Sequence, residues 1–420
     1  MMARLAYSLV VLALLPWALL HLLWRARRQP EYLRHWGERF GIYGGGIQDP
    51  APPTLWLHAV SVGETRAAQP LVAALRQHYP GHRILFTHMT PTGRATSEDL
   101  FGADIERIYL PYDTPWAMRR FLRHYRPQFG LIMETELWPN LIAACGDAGI
   151  PLWLVNARLS ERSARRYAAF PALTRAALQG LAAVGAQTDD DAARLRALGA
   201  QNVSVTGNVK FDIAAPQEQL LLGAEFRTGY GGRPAWLAAS TREGEEALIL
   251  DAWRRLGTKD ALLVLVPRHP QRFDEVTRLA TERGFVVQRR SGNAAIAAAT
   301  GVLIGDSMGE MFAFYASVDV AFIGGSLLDF GSQNLIEAAA CGTPIVIGRS
   351  TRNFAEAARA AIDCGAALQI DSADELVAQV NVLLADAERR RSIGAAGLAF
   401  AERHRGATAR TLKLISPATN

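Results

Sequence analysis

The first residues able to do chemistry lie in the run His58-Ala59-Val60-Ser61-Val62-Gly63-Glu64-Thr65-Arg66. An apolar strand pattern stops there, Gly63 allows a tight turn, and Glu64 falls where a helix begins. A carboxylate so placed can act as a general base on an attacking hydroxyl, or it can simply complement the helix dipole. The dipole would lower its pKa and weaken it as a base, so burial or a neighbouring carboxylate has to offset that. A second acidic pair, Glu134 and Glu136, sits in Met133-Glu134-Thr135-Glu136-Leu137-Trp138-Pro139-Asn140, again at the end of an apolar run. Residues two apart on a strand share a side, so the two carboxylates either bind something polar together or share a solvated edge. Lys210, in Gly207-Asn208-Val209-Lys210-Phe211-Asp212, can bring a positive charge to such a site or be an ordinary surface lysine.

A different chemistry is written into Phe322-Ile323-Gly324-Gly325-Ser326 and, after a short loop, Gly331-Ser332-Gln333-Asn334-Leu335-Ile336-Glu337. This is a buried strand, a glycine turn and a helix opening near Asn334. Glycines let backbone approach a ligand closely, and a helix start offers free N–H groups at its positive end, which suits a phosphate. Glu337 can accept from ribose hydroxyls, or serve a capping box with Asn334 as N-cap. Arg268, in Pro267-Arg268-His269-Pro270, can pair with a phosphate or carboxylate, or be a solvated loop arginine. Asp306-Ser307-Met308-Gly309-Glu310 and residues 240–245 likewise put polar groups after apolar runs. Asp189-Asp190-Asp191 follows Thr188 and precedes a helical pattern, which marks a helix start rather than a metal site. Neither G-x-x-x-x-G-K-[ST] nor G-x-G-x-x-G occurs, which disfavours a P-loop ATPase or a classical dinucleotide enzyme. No short-spaced His/Cys cluster calls for a metal.

The elements that must hold these residues follow from periodicity. Apolar runs at 55–60, 83–89, 105–112, 129–136, 151–158, 182–188 and 203–207 alternate with helical patterns such as 117–125 and 192–198. Strand–helix alternation with nearly continuous apolar strands predicts a parallel sheet covered on both faces, with ligands outside the carboxyl ends of the strands. A linker is expected at 214–233, where Gly231-Gly232 precedes Pro234. A second alternation comes after it, with strands at 235–240, 261–267, 285–288, 318–324 and 344–348, and 374–405 reads as a C-terminal helix pair packing back across the domains.

At 420 residues the chain is long enough for two domains, and its formal charge of +5 is too small an excess to argue for nucleic acid. The three cysteines, Cys145, Cys341 and Cys364, are scattered and fit a reducing compartment. Residues 5–23 are almost wholly apolar, long enough to cross a bilayer core, although Pro16 and His21 interrupt the pattern. No small-residue cleavage site comes after them, so an uncleaved anchor is expected rather than a signal peptide. Arg25, Arg27, Arg28, Arg34 and Arg39 then place the rest of the chain in the cytoplasm, and Tyr32, Leu33 and Trp36 among them suit an interfacial helix on an anionic membrane surface. The expected division is 1–24 membrane anchor, 25–53 basic interfacial segment, 54–213 first domain and 234–420 second domain with the C-terminal helices.

Ten segments carry a resemblance to the bacterial 3-deoxy-D-manno-octulosonic acid (Kdo) transferases, within the GT-B glycosyltransferases. They are Trp36-Gly37-Glu38-Arg39-Phe40-Gly41, residues 58–64, Met89-Thr90-Pro91-Thr92-Gly93, Leu110-Pro111-Tyr112-Asp113, and residues 133–140, 156–160, 207–212, 266–270, 306–310 and 324–337. They run in order from residue 36 to about 348, and the anchor extends the likeness to nearly the whole chain. The resemblance implies an α/β GT-B fold, two Rossmann-like domains facing a cleft, with an N-terminal membrane-anchor helix. It implies transfer of Kdo from CMP-Kdo to the lipid A precursor lipid IVA in lipopolysaccharide biosynthesis, with inversion, no metal and no cofactor. Glu64 is then similar to the family's base, and Glu134 and Lys210 to its supporting transition-state residues. Pro267, Arg268, Met308, Gly309, Glu310, Asn334, Leu335, Ile336 and Glu337 map onto its CMP site. The partners implied are CMP-Kdo, lipid IVA and the inner membrane, with the chain single-pass and its domains on the cytoplasmic side. Ser332 stands where the family commonly has a second glycine, and Leu335-Ile336 replaces a proline-leucine pair. The same architecture would serve a GT-B enzyme using a UDP-sugar, a UDP-GlcNAc epimerase, or a non-catalytic nucleotide-sugar binding protein at the membrane.

Overall fold

The computed structural model describes residues 2–44 and 52–415, so residues 45–51 of the expected interfacial segment and the ends of the chain lie outside the described residues. The strand–helix alternation builds two parallel sheets in two units, Met1–Asp212 with Arg405–Asn420, and Ile213–His404.

In the first unit β1 (Thr54–His58), β2 (Arg83–His88), β3 (Glu106–Tyr109), β4 (Pro127–Met133), β5 (Leu152–Ala157), β6 (Ala183–Ala186) and β7 (Val203–Val205) lie in the order β3-β2-β1-β4-β5-β6-β7. All pairs are parallel. β1 is buried throughout: Leu55 and Leu57 pack on one face of the sheet, and Trp56 packs on the other beside Phe121 and Ile132. Such two-sided burial explains why these strands read as unbroken apolar runs. The chain leaves β1 in one direction through β2 and β3 and then returns to the other side at β4. The loops after β1 and β4 therefore part at this point, where a doubly wound sheet opens a crevice.

The second unit repeats the plan. β8 (Ala235–Thr241), β9 (Leu262–Pro267), β10 (Val287–Arg289), β11 (Val302–Ile304), β12 (Val320–Ile323), β13 (Ile345–Gly348) and β14 (Ala367–Ile370) run in the order β10-β11-β9-β8-β12-β13-β14. These pairs too are parallel. Here the direction reverses between β8 and β12.

Several boundaries differ from expectation. The expected linker at 214–233 contains a helix, Gln217–Gly229, packed on the helix Met311–Ser317. The last helix, Ala407–Ile415, belongs to the first unit, because the Asp212 carboxylate accepts from the backbone N–H groups of Gly406 (2.5 Å), Ala407 (3.2 Å) and Thr408. The second unit thus ends at His404 rather than running on to 420.

One helix, Met2–Ala26, is long and apolar enough to cross a membrane, with Pro16 inside it. The basic segment after it forms two short 3-10 turns, Pro30–Leu33 and Trp36–Phe40, not an interfacial helix. Arg39 is only 2% exposed, with its guanidinium 3.9 Å from the Tyr109 ring centre and Nη1 donating to the Met89 carbonyl at 3.1 Å. It is therefore not available to lipid headgroups. Tyr32 is buried as well, whereas Leu33 and Trp36 are exposed.

Candidate active site

At the β1–β4 crevice of the first unit, Ser61 caps the helix Val62–Ala67, its Oγ accepting from the Glu64 N–H at 3.3 Å. The Glu64 carboxylate turns back over this start. Oε2 accepts from the Val60 N–H at 2.8 Å and Oε1 from the Ser61 hydroxyl at 2.9 Å. This is a variant of the capping box, with the carboxylate reaching the residue before the N-cap. Glu64 is 8% exposed. Burial pushes its pKa above the ordinary carboxylate range and the Glu134 charge adds to that, while the Val60 and Ser61 hydrogen bonds and Lys210 pull it down. Burial and the Glu134 charge thus outweigh the lowering that a helix start brings to such a carboxylate.

Glu134 comes directly after β4 but adopts φ +57°, a left-handed conformation that is uncommon for a side-chain-bearing residue. The expected strand through 129–136 therefore stops at Met133, and strand alternation does not explain how Glu134 and Glu136 come to share a site. Lys210 Nζ lies 3.6 Å from Glu134 Oε1. The turn carrying Lys210 (Val209–Phe211) is fixed by Asn156, whose Oδ1 accepts from the Val209 N–H at 3.1 Å, and by Asn208, which accepts from the Lys210 N–H at 3.0 Å. This gives the Asn156 and Asn208 segments their structural reason. Thr90 does similar work below Glu64: its hydroxyl donates to the Val60 carbonyl at 3.2 Å and accepts from Gly93 N–H at 3.1 Å. The structure thus gathers Glu64, Glu134 and Lys210 at one strand edge.

It also adds Glu136, singled out in the sequence without a role. Burial raises its pKa to about 7, the Glu64 and Glu134 charges contribute, and the indole N–H of Trp138, short of hydrogen-bonding geometry, offsets them only in part. Burial and its acidic neighbours thus bring the Glu136 carboxyl close to neutrality beside Glu64.

In the second unit the glycine turn leaves β12. Gln333 N–H donates to the Gly324 carbonyl at 3.0 Å and Ser332 N–H to Gly325 at 2.7 Å, closing the loop on itself. Glu245 holds it from outside. Its fully buried carboxylate accepts from the N–H groups of Arg242 (2.8 Å), Gly325 (2.7 Å), Leu327 (3.0 Å) and Leu328 (3.4 Å). The sequence reading left this residue without a role; an acid five residues after the run 235–240 was the available signal. Arg268 N–H donates to Thr241 at 3.0 Å, and its Nε donates to Gln333 Oε1 at 3.1 Å, which brings the 267–268 and 333–337 segments together. Ser332 keeps the left-handed conformation (φ +70°) that a glycine would take freely, so the loop closes despite the substitution.

The helix after the turn is Ile336–Ala340, beginning just past Asn334. Leu335 rather than Asn334 takes the N-cap position, and Asn334 before it accepts from Ile336 N–H at 3.0 Å while its Nδ2 donates to Glu337 Oε1 at 3.1 Å. Leu335 and Ile336 have fully buried side chains, so backbone is all they can offer a ligand. Pro267 is the buried last residue of β9. Met308, 68% exposed, and Gly309 (φ +81°) come after β11, the neighbour of β9. Glu310 beside them is held by the Ser307 hydroxyl and by Arg290 Nη2 at 3.1 Å. Among the described residues no group of three or more His, Cys, Asp or Glu side chains is arranged to hold a metal ion. Asp191 instead caps its own helix with Thr188, accepting from that hydroxyl at 2.6 Å.

Two parallel α/β units, one with a buried carboxylate and one with a glycine turn at a helix start, are the domain composition of GT-B glycosyltransferases. Residues 34–213 match the family model for 3-deoxy-D-manno-octulosonic-acid transferase (kdotransferase), and residues 249–399 match that for glycosyl transferases group 1. The chain is 45% identical over 426 residues to a 3-deoxy-D-manno-octulosonic acid transferase of Bordetella pertussis, covering 99% of both chains. It is 39% identical to one from Haemophilus influenzae, over 93% of this chain and 92% of that one. A glycosyltransferase of Rickettsia africae shares the fold, with a TM-score of 0.57 at 13% identity over 87% of this chain and 98% of the other. The protein belongs to the 3-deoxy-D-manno-octulosonic acid transferase family.

Proposed function

We propose that the protein transfers Kdo from CMP-Kdo to lipid IVA in lipopolysaccharide biosynthesis, inverting the anomeric centre without a metal. The acceptor hydroxyl gives its proton to Glu64. Its oxygen bonds to C2 of Kdo from the face opposite the phosphate, and the C2–O bond to phosphate breaks with its electron pair leaving on CMP. Lys210 and Glu134 form a charged pair beside the base, and Lys210 also pulls the Glu64 pKa down. Arg268 and the backbone around Asn334 hold the departing phosphate, Pro267 and the 308–310 loop border the nucleotide, and Glu337 takes the ribose hydroxyls. A single phosphate bearing on an arginine and fixed N–H groups needs no further cation.

The observation that carries this reading is the Glu64 carboxylate, buried at the topological switch point with its pKa raised. The enzyme is attached to the inner membrane with both units on the cytoplasmic side, where an anionic acceptor lipid meets the exposed arginines after the N-terminal helix. Mass spectrometry of lipid IVA incubated with the purified protein and CMP-Kdo generated in situ tests it. A gain of one or more Kdo masses is expected. An unchanged lipid with protein that still binds CMP would reject the acceptor, and failure to bind CMP would reject the donor.

A further inference from the structure

We propose that the N-terminal helix does not cross the bilayer but lies in the plane of one leaflet, with both of its ends on the side that holds the α/β units. This rests on the membrane-attached reading above and replaces its single-pass topology.

The helix Met2–Ala26 carries only two hydroxyl side chains, Tyr7 and Ser8, and both are bonded to the first unit. Tyr7 Oη donates to Asp113 Oδ2 at 3.0 Å, and the Ser8 hydroxyl shares its one proton between the Arg4 carbonyl (2.8 Å) and Asn140 Oδ1 (2.9 Å), with Ser8 only 6% exposed. Their partners are one closed network. Asp113, just after β3, also accepts from the backbone N–H groups of Asn140 (3.0 Å) and Leu141 (2.8 Å), while Asn140 Nδ2 donates to the Asp113 carbonyl at 2.7 Å. At the far end Leu22, Ala26 and Tyr32 form a small buried cluster.

Ser8 and Ala26 are about 27 Å apart along a straight helix at ~1.5 Å per residue, nearly the ~30 Å thickness of a hydrocarbon core. A spanning helix that leaves Ala26 on the cytoplasmic side would therefore carry Ser8 to the opposite side, out of reach of Asp113 and Asn140. Both tethers can hold only if the helix turns along the unit instead of away from it.

Two further patterns agree. Beyond Ser8 the less exposed positions are the half-buried Val11, Leu15 and Ala18 and the buried Leu22 and Ala26, a stripe at three- and four-residue spacing on a helix that contacts the helices Pro139–Asp147 and Pro171–Gln179 of the first unit. Between Arg4 and Arg25 the remaining surface is exposed and, His21 apart, apolar, including Leu9, Leu12, Leu14, Trp17, Leu20 and Leu23. Positive charge also stands at both ends. Arg4 and Arg119 border a cavity of about 360 Å³ at the first, together with Met2 and Leu5, and exposed Arg25, Arg27, Arg28 and Arg34 flank the second. Arginines at both ends match anionic headgroups of a single leaflet, whereas a spanning helix would strand Arg4 on the far side. The occupant of the exposed face is accordingly the acyl region of one leaflet of an anionic membrane.

The test uses the full-length protein with an uncharged epitope added before Met1. Protease should spare the epitope in intact spheroplasts and remove it in inverted membrane vesicles. Removal in intact spheroplasts overturns the inference while leaving membrane attachment standing. Protein that stays soluble after lysis overturns the attachment and the inference with it. A second measurement places a fluorophore at residue 5 or residue 20 and reads its depth with lipid-borne quenchers. Equal depths are expected; a spanning helix would separate them by about 22 Å at ~1.5 Å per residue.

Discussion

Glu64 has two roles that one substitution can separate. It completes the cap of the helix Val62–Ala67, and it is the proposed base. Glu64→Gln keeps an oxygen for the Val60 N–H and keeps the volume, but it cannot accept a proton. Its structural cost is the charge at the helix start, about 0.3–1 kcal/mol, partly offset because no charge is then buried. Removing a general base should cost about 10²–10⁴ in rate, or ~2.7–5.5 kcal/mol of barrier. Ser61→Ala supplies the opposite case, losing the cap for about 0.5–2 kcal/mol of stability while keeping the carboxylate, whose pKa rises further without the Ser61 hydrogen bond, so its activity is compared on the alkaline side of the acid limb.

The assay is kcat for Kdo transfer beside urea unfolding of each variant. Glu64→Gln should unfold within about 1 kcal/mol of the parent yet lose at least two orders of magnitude in kcat, and Ser61→Ala should show the reverse pattern. The parent should show an acid limb in kcat/KM above the ordinary carboxylate range, because the base works only when ionised and its pKa is raised. The limb should vanish from the residual activity of Glu64→Gln. A Glu64→Gln enzyme within tenfold of the parent would refute the base and leave only the cap.

Lys210→Met removes the cation 3.6 Å from Glu134 that also lowers the Glu64 pKa. The acid limb should move to higher pH and kcat should fall at least tenfold, with stability changed by only about 0–1 kcal/mol for a pair still partly open to solvent. Glu136→Gln tests the carboxyl with a pKa of about 7. A raised carboxyl pKa favours the protonated native state, so its contribution to stability is complete below about 4.5, its unperturbed value, and is lost as pH rises through 7. The variant should therefore gain more stability over the parent at pH 8 than at pH 5 in thermal unfolding. Glu245→Gln leaves two of four backbone N–H groups without an acceptor, at about 1–3 kcal/mol each. Calorimetric CMP affinity should drop at least tenfold, and unchanged affinity would show that the turn does not depend on this carboxylate.

Much of the first sheet was readable because its strands are buried on both faces and leave unbroken apolar runs, as in Leu55, Trp56 and Leu57. The unreadable parts depend on contacts distant in sequence. Nothing local says that Glu134 leaves the strand with positive φ; that is set by the β4–β5 edge, where its N–H meets the Val155 carbonyl at 3.0 Å. The strand Ala367–Ile370 was missed because its residues are buried, intermediate, exposed and buried, an edge pattern too short to stand out. The burial of Arg39 likewise comes from Tyr109, 70 residues away in the chain, and composition alone placed this arginine with the lipid-facing ones. The site motifs were legible as segments because each sits at the carboxyl end of a strand. Which residue in each meets ligand and which holds backbone was not. Glu64 and Glu245 look alike in sequence, yet one lines a crevice and the other is walled in by four N–H groups.

Both carboxylates follow from one property of strand-to-helix turns. The turn leaves backbone N–H groups without partners, and an acid nearby satisfies them. Where the acid spends all its lone pairs on those groups, as Glu245 does with four, it becomes a rigid support and has nothing left for a ligand. Glu64 accepts one backbone N–H and one hydroxyl, which leaves acceptor sites free at the crevice. Burial raises the pKa of both carboxylates, so it is the acceptor sites left over that set the proposed base apart from the supporting acid. The same rule acts at the helix Ile336–Ala340, where the Asn334 amide oxygen takes the Ile336 N–H and its nitrogen donates to Glu337 Oε1.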